Sequence, residues 1–357
     1  MNPGPATTTD SVKQAQIVPD ICPREKEFGL LMEGISKDLV SIAGGDEGYV
    51  SILIGGSGTA GMDSVLNSVV NGRILIINNG AYGKRFLEIA KAYDLDFKEI
   101  FFGAQERIDI YKIEEELKKD PSIKYLAMIH HETTTGILNP VKEIGEIAKK
   151  HGCIFIVDAI SSFAGIPFNI KDSKIDFMIS TSNKCIQGMP GICFVICKKE
   201  ELEKIKEYKK KSFYLNLYKH YESFKKDKQS PFTPPVQTVY ALRKAIDEFL
   251  EEENRYERYT KSNRTLVEGM EKLGFKKFLH GVEESQILTT FWEPENPNYS
   301  FEKMHDSLYD KGFTIYPGKI TQKTFRLANM GAIDKKDIEN FLNILEETLK
   351  EMGVRLI

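Results

Sequence analysis

The sequence predicts an α/β protein: a large domain built on a mostly parallel sheet between helices, followed by a smaller α/β domain at the C-terminus. Two observations carry this. Apolar runs of strand length alternate with amphipathic stretches of helix length, the pattern of repeated βα units. Most of those runs are continuously apolar rather than alternating, as in strands covered on both faces. Beyond about residue 240 the character shifts to a long charged helix and weaker strands.

In chain order, YVSILIG (49–55) precedes AGMDSVLNSVV (60–70), and RILIINNG (73–80) precedes KRFLEIAKAYDL (84–95). YLAMIHHE (125–132) is followed by VKEIGEIAKKHG (141–152), then by the runs CIFIVDA (153–159), DFMIST (176–181) and ICFVIC (192–197). The stretch 240–274 reads as one long helix, and QILTTFW (286–292) and FTIYPG (313–318) read as the strands of the smaller domain. The run KIKEYKKK (204–211) reads as a solvated helix face. The division expected is residues 16–245 for the large domain and 246–357 for the small one, with residues 1–15 as an arm.

The chain of 357 residues carries a net charge of −3, and its pI is about 6.2, so nothing invites a nucleic acid or a membrane surface. No apolar stretch has the length of a membrane span, and MNPGPATTTD lacks the regions of a signal peptide. Five cysteines in no CxxC arrangement read as reduced thiols of a cytoplasmic protein.

In an open α/β sheet ligands bind beyond the carboxyl ends of the strands, so the residues after each apolar run matter most. The first such segment, IGGSGTAG (54–61), joins glycines that let backbone N–H groups approach an anion to a following helix N-terminus. It reads as a phosphate cradle or as a simple tight turn. A dinucleotide site would need an acidic residue at the end of the next strand, where the sequence has IINNG. In IHHETTTG (129–136) the paired histidines lack a third ligand at metal spacing, and Glu132 and Thr133 read as hydrogen-bonding groups; no metal is expected. Asp158 ends a strongly apolar strand, where a carboxylate needs a cationic partner or a helix to cap. In STSNKCIQGMPG (180–191), Lys184 stands in a loop between two apolar runs. A partly desolvated lysine has a lowered pKa and serves as an imine-forming nucleophile and proton carrier. A phosphate cradle, a carboxylate and such a lysine together suit one cofactor, pyridoxal 5′-phosphate.

The segments IGGSGT, NGAYGKR, HHETTTGILNP, VDAISSFAGIP, STSNKCIQGMPG, FTPP and YPGK…FRLANMG resemble the 2-aminoethylphosphonate–pyruvate transaminase family, within the class V, fold-type I pyridoxal-phosphate enzymes. The resemblance runs from NPGP (2–5) to the last helix. It implies that Lys184 carries the Schiff base and Asp158 pairs with the pyridine nitrogen. Ser57, Gly58 and Thr59, helped by Ser182 or Asn183, would hold the phosphate. Thr133 would lie near the ring hydroxyl, Tyr82 would stack on the ring, and the N-terminal arm would line the site. Thr233 would reach the cofactor of a partner subunit, implying a homodimer with shared sites, and Arg326 would bind the substrate anion. A guanidinium fork also suits a carboxylate or phosphonate on chemical grounds; Arg24 and Lys319 are further anion candidates. The substrates implied are 2-aminoethylphosphonate and pyruvate. Alternatives are another class V aminotransferase, of alanine–glyoxylate or serine–pyruvate type, a cysteine desulfurase, or a nicotinamide oxidoreductase built on GSGTAG. Ala164 stands where the family has glycine, and FRLAN where it has FRIGN.

Overall fold

The computed structural model describes residues 1–320 and 323–355. The strands are β1 (Tyr49–Gly55), β2 (Arg73–Asn78), β3 (Phe97–Phe101), β4 (Ile123–Ile129), β5 (His131–Glu132), β6 (Ile137–Leu138), β7 (Ile154–Asp158), β8 (Phe177–Thr181), β9 (Ile192–Lys198), β10 (Leu288–Trp292), β11 (Tyr316–Pro317) and β12 (Thr324–Ala328). The helices are α1 (Asp10–Gln14), α2 (Lys26–Ile42), α3 (Gly58–Val69), α4 (Ala81–Ala92), α5 (Ile110–Lys119), α6 (Val141–Lys150), α7 (Lys199–Lys204), α8 (Leu217–Asp227), α9 (Val236–Glu251), α10 (Arg255–Lys272), α11 (Phe301–Asp310) and α12 (Lys335–Glu351).

The main sheet has seven strands in the order β1-β9-β8-β7-β4-β2-β3. It is parallel from β8 through to β3, as the βα alternation predicts. The exception is β9, antiparallel to both β8 and β1. Only residues 182–191 join β8 to β9, too few to carry a crossover helix, so the chain must turn back on itself. Because β9 alone is reversed, β1 still delivers its C-terminal end to the same edge as β2, β4, β7 and β8.

Apolar side chains from both faces of the sheet build two cores. On one, Ile35 and Leu39 of α2, Ile144 of α6 and Leu242 and Ile246 of α9 meet Phe155, Met178 and Phe194. On the other, Met62, Val65 and Leu66 of α3 and Phe86 and Leu87 of α4 meet Ile76, Ile156 and Val195. Each such fully buried aliphatic or aromatic side chain contributes about 1.5–3 kcal/mol of transfer free energy. The edge strand β3 keeps Lys98 and Glu99 in FKEIF, and its residues are half-buried or exposed, which hides it from an apolar-run reading.

The smaller sheet, β10-β12-β11, packs against α10, α11 and α12 through Leu266, Met270, Phe291, Leu308, Phe325 and Phe341. The expected single helix over 240–274 is two, broken at 252–254. Asn254 takes its side chain out of the helical path to accept from Glu257 N (3.0 Å), and so caps α10. Glu252 accepts from Arg255 Nε (2.6 Å) and Arg258 Nε (2.7 Å), which fixes the corner. The expected domain division at 245/246 falls inside α9. KIKEYKKK is helical only to Glu207, a short α-turn ending in 3₁₀, and is irregular after it.

The first residues thread between the two sheets. Ala6 N donates to Asn183 O (2.9 Å), Ala328 N to Met1 O (3.0 Å), and Thr7 bridges Gly331. α1 then packs on α9, where Thr9 Oγ1 donates to Glu248 Oε2 (2.9 Å).

Candidate active site

The segments singled out in the sequence emerge together along the carboxyl edge of the main sheet. After β1, Gly56 N donates to Gly191 O (2.9 Å). Ser57 is the N-cap of α3, and its hydroxyl makes no capping bond. The free N–H groups of the α3 N-terminus therefore open onto the edge, with Gly58 first in the helix. Thr59 Oγ1 accepts from Arg85 Nη1 at 3.1 Å.

Arg85 was not singled out in the sequence. It lies three positions after Tyr82 on α4, hence on the same helix face, and its guanidinium carbon sits 4.8 Å from the centre of the Tyr82 ring. That spacing was the available signal. Tyr82 itself is held from below by Glu132. This carboxyl is fully buried and accepts from Thr134 Oγ1 (2.5 Å), Thr134 N (3.1 Å) and Gly83 N (3.2 Å), while Thr134 Oγ1 accepts from Ala81 N (2.9 Å). Two N–H groups of the first turn of α4 are thereby satisfied, and the orientation of Tyr82 is set. Glycine is required at residue 80 because a Cβ there would overlap the Glu132 side chain. Burial still raises the Glu132 carboxyl above its usual range, against the pull of these bonds. The hydrogen-bonding reading of HHET thus holds. His130 Nδ1 pairs with Ser162 Oγ (2.9 Å) and His131 Nε2 with Ser285 Oγ (2.7 Å); burial lowers the two rings to about 4 and about 3.

Asp158, at the end of β7, is buried, and its Oδ1 accepts from Ile160 N (2.8 Å). Burial, reinforced by the Glu132 charge, pushes its carboxyl up to about 7, against smaller pulls from Ile160 N–H, Arg85 and Lys184. Lys184 follows β8. Its Nζ donates to the carbonyl of Pro3, and a Cβ on Gly4, which sits at φ 129°, would run into the amine. Burial lowers the Lys184 pKa, and Arg326 and Lys319 push the same way, outweighing Tyr82 and Cys185.

Thr133 is buried, and its carbonyl accepts from Arg326 Nη1 at 3.0 Å; Arg326 Nε donates to Pro317 O (3.0 Å). Arg326 is 3 % exposed and makes no ion pair among the described residues, so it is not one half of a surface salt bridge. Burial lowers its pKa while Tyr82 and Glu132 support its charge. Lys319 Nζ donates to Tyr82 Oη (3.1 Å). Burial alone would raise the Tyr82 phenol; Lys184 and Lys319 outweigh it, and the net shift is downward.

Lys184, Tyr82, Thr133, Arg326 and Lys319 therefore form one group, with Asp158 beside it and the α3 N-terminus joined to it through Arg85. Three residues stand differently. The Ser182 hydroxyl donates to the Met189 carbonyl and lies 3.1 Å from Ile192 O, bracing the lysine loop. Asn183 Oδ1 accepts from Thr181 Oγ1 (2.9 Å). Thr233 is exposed in the loop before α9, next to Phe232. Arg24 contacts that loop too, donating to Ser230 O (2.5 Å). Ala164 adopts φ 60°, the left-handed region that explains the family's glycine.

Residues 21–299 match the model of the class-V aminotransferases. The 2-aminoethylphosphonate–pyruvate transaminase of Klebsiella pneumoniae subsp. pneumoniae is 39% identical over 357 aligned residues, 98% of this chain and 97% of that protein. The enzyme of the same name from Bacteroides fragilis is 38% identical over 98% of both chains. Among solved structures, the ureidoglycine–glyoxylate aminotransferase of Bacillus subtilis superposes with a TM-score of 0.92 at 25% identity, over all of this chain and 94% of the other.

Proposed function

This chain belongs to the class-V aminotransferase family, and on that premise we propose that it transfers the amino group of 2-aminoethylphosphonate to pyruvate, with pyridoxal 5′-phosphate as cofactor. The products are phosphonoacetaldehyde and L-alanine. The substrates follow the named relatives, and the observation that carries the cofactor is Asp158: a buried carboxyl that among the described residues accepts from Ile160 N alone, raised to about 7. A pyridinium N–H would supply the missing partner and hold the carboxylate ionised. The α3 N-terminus at Ser57, Gly58 and Thr59 fits a phosphate by the same test, because the Ser57 side chain does not cap the helix and Arg85 reaches the Thr59 hydroxyl beside it.

When bound, the cofactor supplies an electrophilic carbon for the amino group and a ring that accepts an electron pair. The chain does the rest. Lys184, with its pKa lowered by burial, presents an amine that can lose its proton; it would hold the cofactor covalently and, once the substrate's amine had displaced it, would be free to move a proton from the substrate carbon. Asp158 would keep a proton on the ring nitrogen. Tyr82 offers an aromatic face braced by Arg85, and Thr133 stands beside it. Arg326 orients the substrate anion, which suits either the phosphonate or the carboxylate of pyruvate. Ser182 and Asn183 position the loop behind Lys184.

We propose a homodimer in which Thr233 of each subunit reaches the other's site. Supporting it, Phe213 (76 % exposed), Tyr214 and Phe232 cluster beside Thr233, and Tyr214 Oη donates to Gly55 O (3.2 Å) at the rim of the cradle. We place the chain in the cytoplasm; its cysteines are all free thiols, four of them buried. No described helix is long and apolar enough to cross a membrane.

The test is spectroscopic. With cofactor loaded and pyruvate withheld, 2-aminoethylphosphonate should bleach the visible band and release phosphonoacetaldehyde; pyruvate should restore the band and yield alanine. A band bleached only by a different amine would move the chain to another donor.

A further inference from the structure

We propose that Lys319 is the residue that selects a doubly charged phosphonate over a singly charged carboxylate. The inference rests on the phosphonate reading of the site and extends it to specificity. Lys319 lies just past β11, exposed at the mouth, with Nζ 3.1 Å from Tyr82 Oη and 4.8 Å from its ring centre. The buried Arg326 guanidinium donates to the carbonyls of Thr133 and Pro317, and the Tyr82 phenol supports its charge. Two cations thus bear on Tyr82, Lys319 through its hydroxyl and Arg326 through its charge, and both also bear on Lys184. Among the described residues neither Lys319 nor Arg326 makes an ion pair. Glu132, the carboxyl whose charge bears on Arg326, is already committed to Thr134 and Gly83.

Such an arrangement is costly without a ligand, since like charges held together repel. It becomes favourable when one anion meets both. A pyruvate carboxylate has one charge and a planar fork, which Arg326 alone satisfies. A phosphonate approaches a dianion near neutral pH and has a third oxygen to spare. Lys319 is a compact point charge on a flexible stem, suited to that remaining oxygen rather than to a planar fork. It binds at the exposed end, so releasing Tyr82 to take the phosphonate needs no change in the core.

The experiment compares wild-type holoenzyme with Lys319→Met and Lys319→Arg. Steady-state kinetics use 2-aminoethylphosphonate and pyruvate; calorimetry uses ethylphosphonate and propionate as unreactive probes of each charge. In Lys319→Met, KM for 2-aminoethylphosphonate should rise roughly tenfold, the loss of one charge-assisted contact, while KM for pyruvate moves less than about twofold. Ethylphosphonate should weaken by a similar factor and propionate should not, and Lys319→Arg should recover most of the difference. Equal losses for both anions would overturn the proposal, leaving Lys319 as a brace for Tyr82, and so would no loss for either. If the wild type fails to turn over 2-aminoethylphosphonate yet binds ethylphosphonate through Lys319, the dianion site stands and the amine-donor reading falls.

Discussion

Replacing Asp158 with asparagine should stabilise the cofactor-free protein while disabling the loaded enzyme. Burial is the main cause that raises this carboxyl from 3.8 to about 7. Below pH 3.8 the carboxyl is protonated folded and unfolded alike, and no penalty exists. As pH rises from there to 7 the unfolded chain ionises first, so the fold loses stability. At about 1.4 kcal/mol per pH unit, the loss reaches roughly 4 kcal/mol above pH 7. Asparagine keeps an acceptor for Ile160 N and cannot ionise. The variant should therefore exceed the wild type by up to roughly 4 kcal/mol at pH 8, by roughly 2 kcal/mol at pH 5, and by roughly half a kcal/mol at pH 4. Urea denaturation of both proteins, stripped of cofactor, at these three pH values reads the difference directly. A pH-independent gap would refute the reasoning, because it would mean that a cation in the fold already neutralises Asp158. With cofactor restored, the same variant should lose most of its turnover, since a neutral amide cannot hold the ring nitrogen protonated.

Lys184→Ala should abolish transamination and leave the circular dichroism spectrum and melting curve close to wild type; turnover at the normal rate would remove Lys184 from its role. Gly4→Ala forces a side chain into a left-handed backbone position and against the Lys184 amine, at about 1–3 kcal/mol of local strain. Activity should fall well before the unfolding midpoint does, as paired kinetics and melting would reveal. Ala164→Gly should raise stability by up to about 1 kcal/mol, because the left-handed conformation at φ 60° then suits its residue. Asn254→Ala should cost about 1 kcal/mol by uncapping α10, measured by chemical denaturation, with KM values unchanged.

What the sequence reveals here is whatever depends on neighbours along the chain. Strands whose residues are apolar on both faces, such as ICFVIC, show plainly because burial on two sides leaves no room for polar alternation. Phe97–Phe101 does not, since an edge strand keeps its charges. The reversal of β9 is implied by loop length alone. The helix broken at Asn254 looks continuous because its charged residues fit a helix equally well, and only the side-chain bond to Glu257 N decides the matter. Lys184 and Asp158 were legible from their settings at strand ends, and Arg326 from the family resemblance and from the fit of a guanidinium to an anion. Arg85 was not, because its partner Thr59 comes from a different strand end and their meeting is a property of the packed sheet. Glu132 was legible as a hydrogen-bonding residue, but its task of steadying α4 depends on the close approach of Gly80.

The threading of the first residues between the sheets has a consequence for how the protein is made. Pro3 and Gly4 cover Lys184, yet the strap they belong to is fastened by Ala328 and Gly331, which leave the ribosome long after it. The large sheet can form with its reactive amine uncovered long before the fastening residues exist, and contacts so distant along the chain are the slowest to close. Closing of the strap over the amine thus follows the making of the large sheet, and a chain cut before Ala328 would lack the residues that fasten this cover.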